Sequence, residues 1–393
     1  MNNFARVFNI NYNNLNLVGQ TFIRDDPEID NVIITPTESL YYLIGNPFHH
    51  KSYYLFKQYS NRNKSYEFIV PNYEMLIPLI NVTENDLQII KILCDNFWHK
   101  NSDHTIKIKA KASIHVNPEL LDIDGNVIVT YYNDDTIKIL QSYTMGPLLG
   151  QVLHINDIPC SHFNQFIDYY SSNNIMIFKQ EDPCENSCNP TQVLINNNSI
   201  IIENRSTISC IKMKKLLDNH GIHITNIDYS TSIKQSYLNN PILLPPINKK
   251  IYLFKWLYLD SQLSNEIENS LRNMTENYFN SILFIDFAGK HKSIIPICGG
   301  YVDLSESGNI IEAIKNVYNI MHNSTMYSHL QSILFYDSYS YHKHSGDDSH
   351  SILFDIILQF TGKNAMLIPI NYIPAQYELN VIENIADCNE CVD

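Results

Sequence analysis

The amino-acid sequence predicts a two-domain α/β protein, and three observations carry that prediction. The chain has 393 residues, too many for one ordinary core and comfortable for two. Strand-like apolar runs alternate with helical periods, the pattern of α/β domains. One stretch, Asn239 to Lys250 with Pro241, Pro245 and Pro246, interrupts the alternation and reads as a linker. Residues 1–220 are expected to form a twisted, mostly open sheet with a concave face, and 221–250 the linker. Residues 251–370 are expected to form a smaller, three-layer Rossmann-like domain, and 371–393 an acidic tail.

The first strand is Asn31 to Thr35, β-branched and apolar, stopped by Pro36. A helix-like stretch follows from Ser52 to Gln58, then a strand from Tyr66 to Val70. Glu84 to Phe97 is an amphipathic helix: Leu87, Ile90, Leu93 and Cys94 recur at helical spacing, with Thr83 as N-cap. Strands are expected at Thr105–Ala110, Asn126–Tyr132, Ile175–Phe178, Gln192–Ile195 and Ser199–Glu203. Short helices are expected at Thr136–Gln141 and Ser209–Asp218, and a Gly-Pro turn with an apolar run at Met145–Ile155. The second series reads strand Ile251–Trp256, helix Ser261–Phe279, strand Ser281–Phe287, helix Ile310–His322, strand Gln331–Tyr336 and helix Ser349–Phe360.

Composition narrows the function classes. Hydrophobic residues make up 44% and charged residues 17%, so substantial cores can form and global disorder is disfavoured. Net charge is −14, from 27 basic and 41 acidic residues. A protein that coats nucleic acid needs the opposite surplus, so DNA is not an expected partner. No run reaches the roughly 20 apolar residues that span a bilayer, and no secretory signal is visible. The eight cysteines are scattered through apolar segments, the usage of free thiols in a reducing cytoplasm.

The most informative segment is Thr35-Pro-Thr-Glu-Ser-Leu-Tyr-Tyr-Leu43. A strand that runs into Pro36 and then a Thr/Glu/Ser cluster points hydroxyls and free amides into a cleft beyond the sheet edge. The same residues also make an ordinary N-cap before a helix. On these residues alone both readings stand.

The segment resembles the signature Pro-Thr-Asp/Glu-Thr-Val-Tyr-Gly-Leu of the YrdC/YciO-type threonylcarbamoyl-AMP synthase family. Pro36, Thr37, Glu38, Tyr41 and Leu43 match, and Tyr42 replaces the glycine. Asn46-Pro-Phe48, Leu55-Phe-Lys57 and Phe68-Ile-Val70 fall along the family's Lys-x-Arg-Pro…Pro-Leu-Ile-Val stretch. Phe97-Trp98 and Thr105 sit on its Phe-Trp-Pro-Gly-Pro-Leu-Thr, and Pro147-Leu148 on its Gly-x-Pro-Leu. Thr191, Val193, Ile208 and Ser209 follow its closing strands. Ser236-Tyr237…Pro241 and Tyr301 to Gly308 with Glu312-Ala313 resemble the interdomain and second-domain segments of the long form.

The resemblance implies a YrdC-like first domain and formation of threonylcarbamoyl-AMP from ATP, L-threonine and bicarbonate or CO2, for the t6A modification of tRNA. It places Thr37 and Tyr41 on threonine, and Lys57, Arg62 and Lys64 on the triphosphate as catalytic cations. Thr191 and Arg205 would border the nucleotide, and Mg2+ would accompany ATP. A t6A-pathway protein or tRNA is the implied macromolecular partner; a membrane is not. Several family groups are substituted. Val152 and His154 stand at the Ser-x-Asn positions, Thr130 at an arginine, Pro190 at a serine and Asn204 at the closing arginine, next to Arg205. Charge-assisted hydrogen bonds are worth about 1.5–3 kcal/mol each, so such losses weigh on ATP binding. A homologue that keeps the cleft without the reaction is therefore the alternative expectation.

No metal site is assigned. Cys184 with Cys188, Cys388 with Cys391, and His342, His344 and His350 beside Asp347 and Asp348 lack the paired-knuckle pattern of structural zinc. Lys51, Lys57, Arg62 and Lys64 form a compact basic group after the Pro-Thr-Glu turn, and Arg205 returns later. At least two of them are expected to converge on one cleft with Thr37.

Overall fold

The computed structural model describes residues 5–24, 30–37, 40–61, 65–98, 106–155, 158–160, 162–180, 190–204, 208–224, 226–229, 250–257, 279–292, 295–296, 298–322, 329–336, 349–361 and 365–369. The chain divides into two compact units, Met1–Lys234 and Gln235–Asp393.

The first unit is built on one mixed sheet. Its strands are β1 (Arg6–Asn9), β2 (Val32–Pro36), β3 (Tyr41–Gly45), β4 (Glu67–Ile69), β5 (Ile106–Lys111), β6 (Asn126–Thr130) and β7 (Leu148–Val152). A small hairpin, β8 (His154–Ile155) and β9 (Ile158–Pro159), is separate from it. The sheet continues with β10 (Met176–Lys179), β11 (Thr191–Asn196), β12 (Ser199–Asn204) and β13 (Asn226–Tyr229). Its spatial order is β1-β10-β2-β3-β7-β4-β6-β5-β11-β12-β13. Strands distant in sequence are thus neighbours, as β3 and β7 are, and β4 and β6.

Helices α1 (Tyr12–Phe22), α2 (His50–Tyr59), α3 (Glu84–Phe97), α4 (Asp135–Thr144), α5 (Ile167–Tyr170) and α6 (Cys210–Asn219) complete the unit. α3 spans the residues that its apolar period predicts, and Thr83 caps it by accepting from the Asp86 amide. Ser209 likewise caps α6 by accepting from the Lys212 amide. Leu15, Val18 and Phe22 of α1 and Ile137 and Leu140 of α4 pack with Ile33, Ile44, Ile69 and Tyr42 in one buried cluster.

Two elements of this unit carry weak sequence signals. α1 is rich in Asn, but Asn11 caps it and four residues, Leu15, Val18, Gly19 and Phe22, turn inward. β13 pairs in parallel with β12. It carries the sheet past residue 220, into the stretch that the sequence assigned to linker. The proline-containing stretch 239–249, the helix expected over Ser261–Phe279 apart from its last residue, and the tail from 371 lie outside the described residues.

The second unit holds a five-stranded, all-parallel sheet. Its strands are β14 (Lys250–Leu257), β15 (Ile282–Asp286), β16 (Gly300–Asp303), β17 (Ser332–Tyr336) and β18 (Ala365–Pro369), in the order β16-β15-β17-β14-β18. Helices α7 (Ile310–His322) and α8 (Ser349–Thr361) follow β16 and β17, since parallel neighbours need crossovers. β14 and β6 belong to separate sheets.

Candidate functional site

The Pro-Thr-Glu turn leads into a strand. β2 and β3 are antiparallel, with Pro36 opposite Tyr41 and Thr35 opposite Tyr42. The N-cap reading is thereby displaced: this is a hairpin tip, not a helix start. Thr37 closes it, its amide and its hydroxyl both donating to the Leu40 carbonyl, at 2.9 and 2.8 Å. Glu38 and Ser39 lie outside the described residues. Tyr41 is fully buried; its ring packs on Phe166 and its hydroxyl accepts from the Gln180 amide at 3.0 Å.

The hairpin is joined to the end of β7. Tyr42 is the register partner of Val152, and the Leu153 amide donates to the Tyr41 carbonyl at 2.8 Å. The Val152 and His154 segment thus lies against the start of β3. A third segment arrives from the end of α2. Gln151 clasps Asn61 through both amide atoms, Asn61 N to Oε1 at 2.7 Å and Nε2 to Asn61 O at 3.0 Å. A polar cavity of about 360 Å³ lies among Leu43, Tyr59, Asn61, Gln151, Val152 and His154. Arg62, Lys64 and Arg205 lie outside the described residues.

Strand alternation places a second group of polar residues on one sheet face. Tyr42 pairs with Val152, Glu67 with Gly150, and Ile69 with Thr130, all on that face. Ile108 pairs with Val129, which sets Lys107 beside Thr130 on it too. Here Lys107 Nζ forms an ion pair with Glu67 and donates to the Tyr42 hydroxyl at 3.3 Å. The Tyr132 hydroxyl donates to the same Tyr42 oxygen at 2.6 Å. Burial first, then the Glu67 charge, hold the Tyr42 phenol well above its ordinary range.

Lys109, two residues on, forms ion pairs with Asp122 at 2.9 Å and Glu203 at 2.8 Å. Burial pushes the Lys109 ammonium down, but Glu203 and Asp122 outweigh it and raise it. Lys57 pairs with Glu119 and lies over the Tyr53 ring, 5.6 Å from its centroid. The Glu119 hydrogen bond pushes Lys57 up. Lys57, Tyr66, Glu119, Asp122, Asn126 and Ile128 line a charged cavity of about 540 Å³. Lys57, Lys107 and Lys109 therefore carry four carboxylate partners between them.

Thr191 opens β11 and is buried; its hydroxyl accepts from the Ile208 amide at 3.3 Å, tying the sheet to the approach of α6. Burial pushes the Cys160 thiol up to about 12 and the Cys298 thiol higher still, so neither is an activated nucleophile. Among the described residues no group of three or more His, Cys, Asp and Glu side chains could hold a metal ion. Cys184, Cys188, Cys388, Cys391, His342, His344, Asp347 and Asp348 lie outside them. No described helix is long and apolar enough to cross a membrane.

No family model matches the sequence, and no curated protein does. Solved structures do match. P. abyssi Sua5 complexed with L-threonine aligns with a TM-score of 0.61 at 11% identity, covering 93% of this chain and 99% of that one. This chain has the Sua5 fold. A double variant of P. abyssi Sua5 aligns at 0.60 with 11% identity, covering 93% of this chain and 98% of that one. The Sua5 likeness runs through both units, as the motif resemblance does, and it supports that resemblance at the level of fold.

Of the residues expected at the site, Thr37 bonds within its own hairpin and Tyr41 is buried against Phe166, and neither lines the 360 Å³ cavity, which the substituted positions Val152 and His154 do line. Lys57 is turned to Glu119 in the charged cavity, and Thr191 serves the β11 junction. Glu67, Lys107, Tyr132, Gln151 and Asn61 escaped sequence reasoning. One signal was there: Ile106-Lys-Ile-Lys-Ala-Lys111 alternates charge with apolar residues, which marks a strand with one polar face.

Proposed function

We propose that this chain is a threonylcarbamoyl-AMP synthase-like protein acting in the cytoplasm on ATP, L-threonine and bicarbonate or CO2, for t6A modification of tRNA. One observation supports it. Three segments far apart in sequence, strand β3 through Leu43, the Gln151–His154 segment and the Asn61 turn, meet at one polar cavity in the Sua5 fold. In the proposed reaction the threonine amine takes up CO2 as a carbamate and releases a proton. The carbamate oxygen attacks the α-phosphorus of ATP, the bond to the β-phosphate oxygen breaks, and pyrophosphate leaves. Thr37 and Tyr41 would form the threonine end, and Thr191 and Arg205 the nucleotide border.

Positioning and charge stabilisation supply most of the catalysis in such transfers. Lys57, Lys107 and Lys109 are each neutralised by carboxylates, so countering the phosphates would fall to Arg62, Lys64 and Arg205. Mg2+ would arrive with ATP and be held by the phosphate oxygens.

A second reading has its own support. Val152 and His154 replace a hydroxyl and an amide, and the neutralised lysines leave little attraction for a triphosphate. On this reading the chain keeps the cleft and binds a nucleotide, an RNA end or a t6A-pathway protein without adenylyl transfer. One assay separates the two: pyrophosphate release from ATP with L-threonine and bicarbonate. Release that requires both co-substrates supports the synthase. Folded protein that releases none removes it and leaves the binding reading.

A further inference from the structure

A third cavity, of about 450 Å³, lies at the opposite end of α2 from the Asn61 turn and shares no lining residue with the 360 Å³ cavity. Its floor is apolar: Phe68, Leu79, Val116 and Leu120 are all buried. Its rim is apolar and exposed, with Phe48 at 72%, Met145 at 84% and Met75 at 37%. A single exposed apolar residue is ordinary on a protein surface; three around the mouth of an apolar cavity make a patch. No Asp, Glu, Lys or Arg lines the cavity. Glu119, which accepts from Tyr53 of the lining, is paired with Lys57.

The two most exposed rim residues are held in place. Phe48 sits in the turn between β3 and α2. Its amide donates to the Asn46 side-chain oxygen at 3.0 Å, and the Asn46 amide donates to the Ser52 hydroxyl at 2.8 Å. The Phe48 ring rests against Gly146, where a methyl group would stand 3.3 Å from ring carbon Cε2. Met145 ends α4 with φ 53° and ψ 27°, its amide donating to the Gln141 carbonyl at 2.9 Å. Glycine is the usual residue in that left-handed position. A long apolar side chain there bears backbone strain and is exposed to water as well, and strain of this kind points to a use.

We propose that this face is where two copies of the chain associate about a two-fold axis, Phe48 and Met145 of each copy seated in the cavity of the other. A two-fold contact sets the same patch on both partners, so the patch has to carry projections and a hollow together. This one does, with Phe48 and Met145 beside the cavity. Charge favours a second copy over a different protein. Two chains of net charge −14 repel, so they meet where the surface is uncharged, as this lining is. A different partner of so acidic a chain would bring basic residues, and the lining holds no carboxylate to receive them. The inference is independent of the proposed function.

Sedimentation equilibrium of the full chain, from about 1 to 100 µM, tests it. The expected result is a monomer–dimer equilibrium with a micromolar or tighter dissociation constant, as interfaces of standard size give. Phe48→Asp sets two carboxylates in the apolar contact and should weaken the dimer at least about tenfold. Met145→Gly removes the other projection and suits the left-handed backbone. It should also weaken the dimer about tenfold, while the diluted monomer unfolds no earlier on heating than the unaltered chain, which separates a lost contact from a lost fold. A chain that stays monomeric to about 100 µM overturns the proposal. Native mass spectrometry showing such a monomer with a bound small molecule that Phe48→Asp expels would give the cavity to that ligand instead. A dimer that both variants leave unchanged overturns this face as its seat. None of these results touches the proposed function, which is read by pyrophosphate release.

Discussion

The Tyr132 hydroxyl donates a 2.6 Å hydrogen bond to the Tyr42 hydroxyl, joining β3 to the residue two past the end of β6. The two rings meet edge to face with centroids 5.3 Å apart. Tyr42 also accepts from Lys107, so one phenol oxygen serves two donors in a buried cluster.

That arrangement predicts unequal costs. Tyr42→Phe strands both donors and should destabilise the first unit by about 1–3 kcal/mol. Tyr132→Phe removes one donor and leaves Lys107 its acceptor, so it should cost about 1 kcal/mol or less. Urea denaturation of the two variants checks this. Equal costs would show that Tyr42 is not the shared acceptor.

Asp86 predicts a second sensitive point. It is buried on the first turn of α3, and its carboxylate accepts from the amides of Asn197 and Asn198 at 3.1 and 2.7 Å. Those two residues form the β11–β12 turn and both hold positive φ, 50° and 59°. Asp86→Ala removes these two hydrogen bonds and should cost about 1.5–3 kcal/mol, the range for hydrogen bonds to a charged group. Hydrogen exchange is the readout: the Asn197 and Asn198 amides should exchange faster in the variant. Unchanged protection there contradicts the assignment.

In the second unit Asp286 predicts an acid limit. Burial pushes its carboxyl up, but hydrogen bonds and charge from His291, with the Tyr301 hydroxyl, outweigh burial and hold it below the usual range. A carboxyl lowered in the folded state gives stability that is present above the unfolded pKa, about 3.9 for Asp. That stability is lost as pH falls through the lower folded value. Asp286→Asn should therefore lower stability at neutral pH and flatten the acid loss. Near-ultraviolet circular dichroism followed through an acid titration measures it; an unchanged acid profile would exclude Asp286 as the source.

Thiol reactivity should divide by burial. Desolvation pushes the buried Cys94 thiol well up and the Cys160 thiol to about 12, so few thiolates exist at neutral pH. Cys210 is half-buried. Maleimide labelling of the native chain, read by mass spectrometry, should modify Cys210 well before Cys94 or Cys160. Labelling of Cys160 at an equal rate would mean that its burial is not maintained in solution.

The sequence by itself determined the local elements. Thr83 and the apolar period of Glu84–Phe97 define α3, and Ile310–His322 is a helix from its period alone. Such elements are written in neighbouring residues, because caps and amphipathic stripes act over one or two turns. The Pro36-Thr37-Glu38 turn and its companion motifs also pointed to the fold that Sua5 shares. The tertiary structure alone decided which polar groups meet. Glu67, Lys107, Tyr42 and Tyr132 belong to or follow four different strands, and the sheet order β3-β7-β4-β6-β5 brings them together. It also decided that Lys57 faces Glu119 and that Asn226–Tyr229 joins the sheet. Non-local strand pairing leaves no mark in a local pattern: each of these charges reads, in its own segment, as an ordinary solvated residue. Only the register of distant strands turns two such residues into a buried pair.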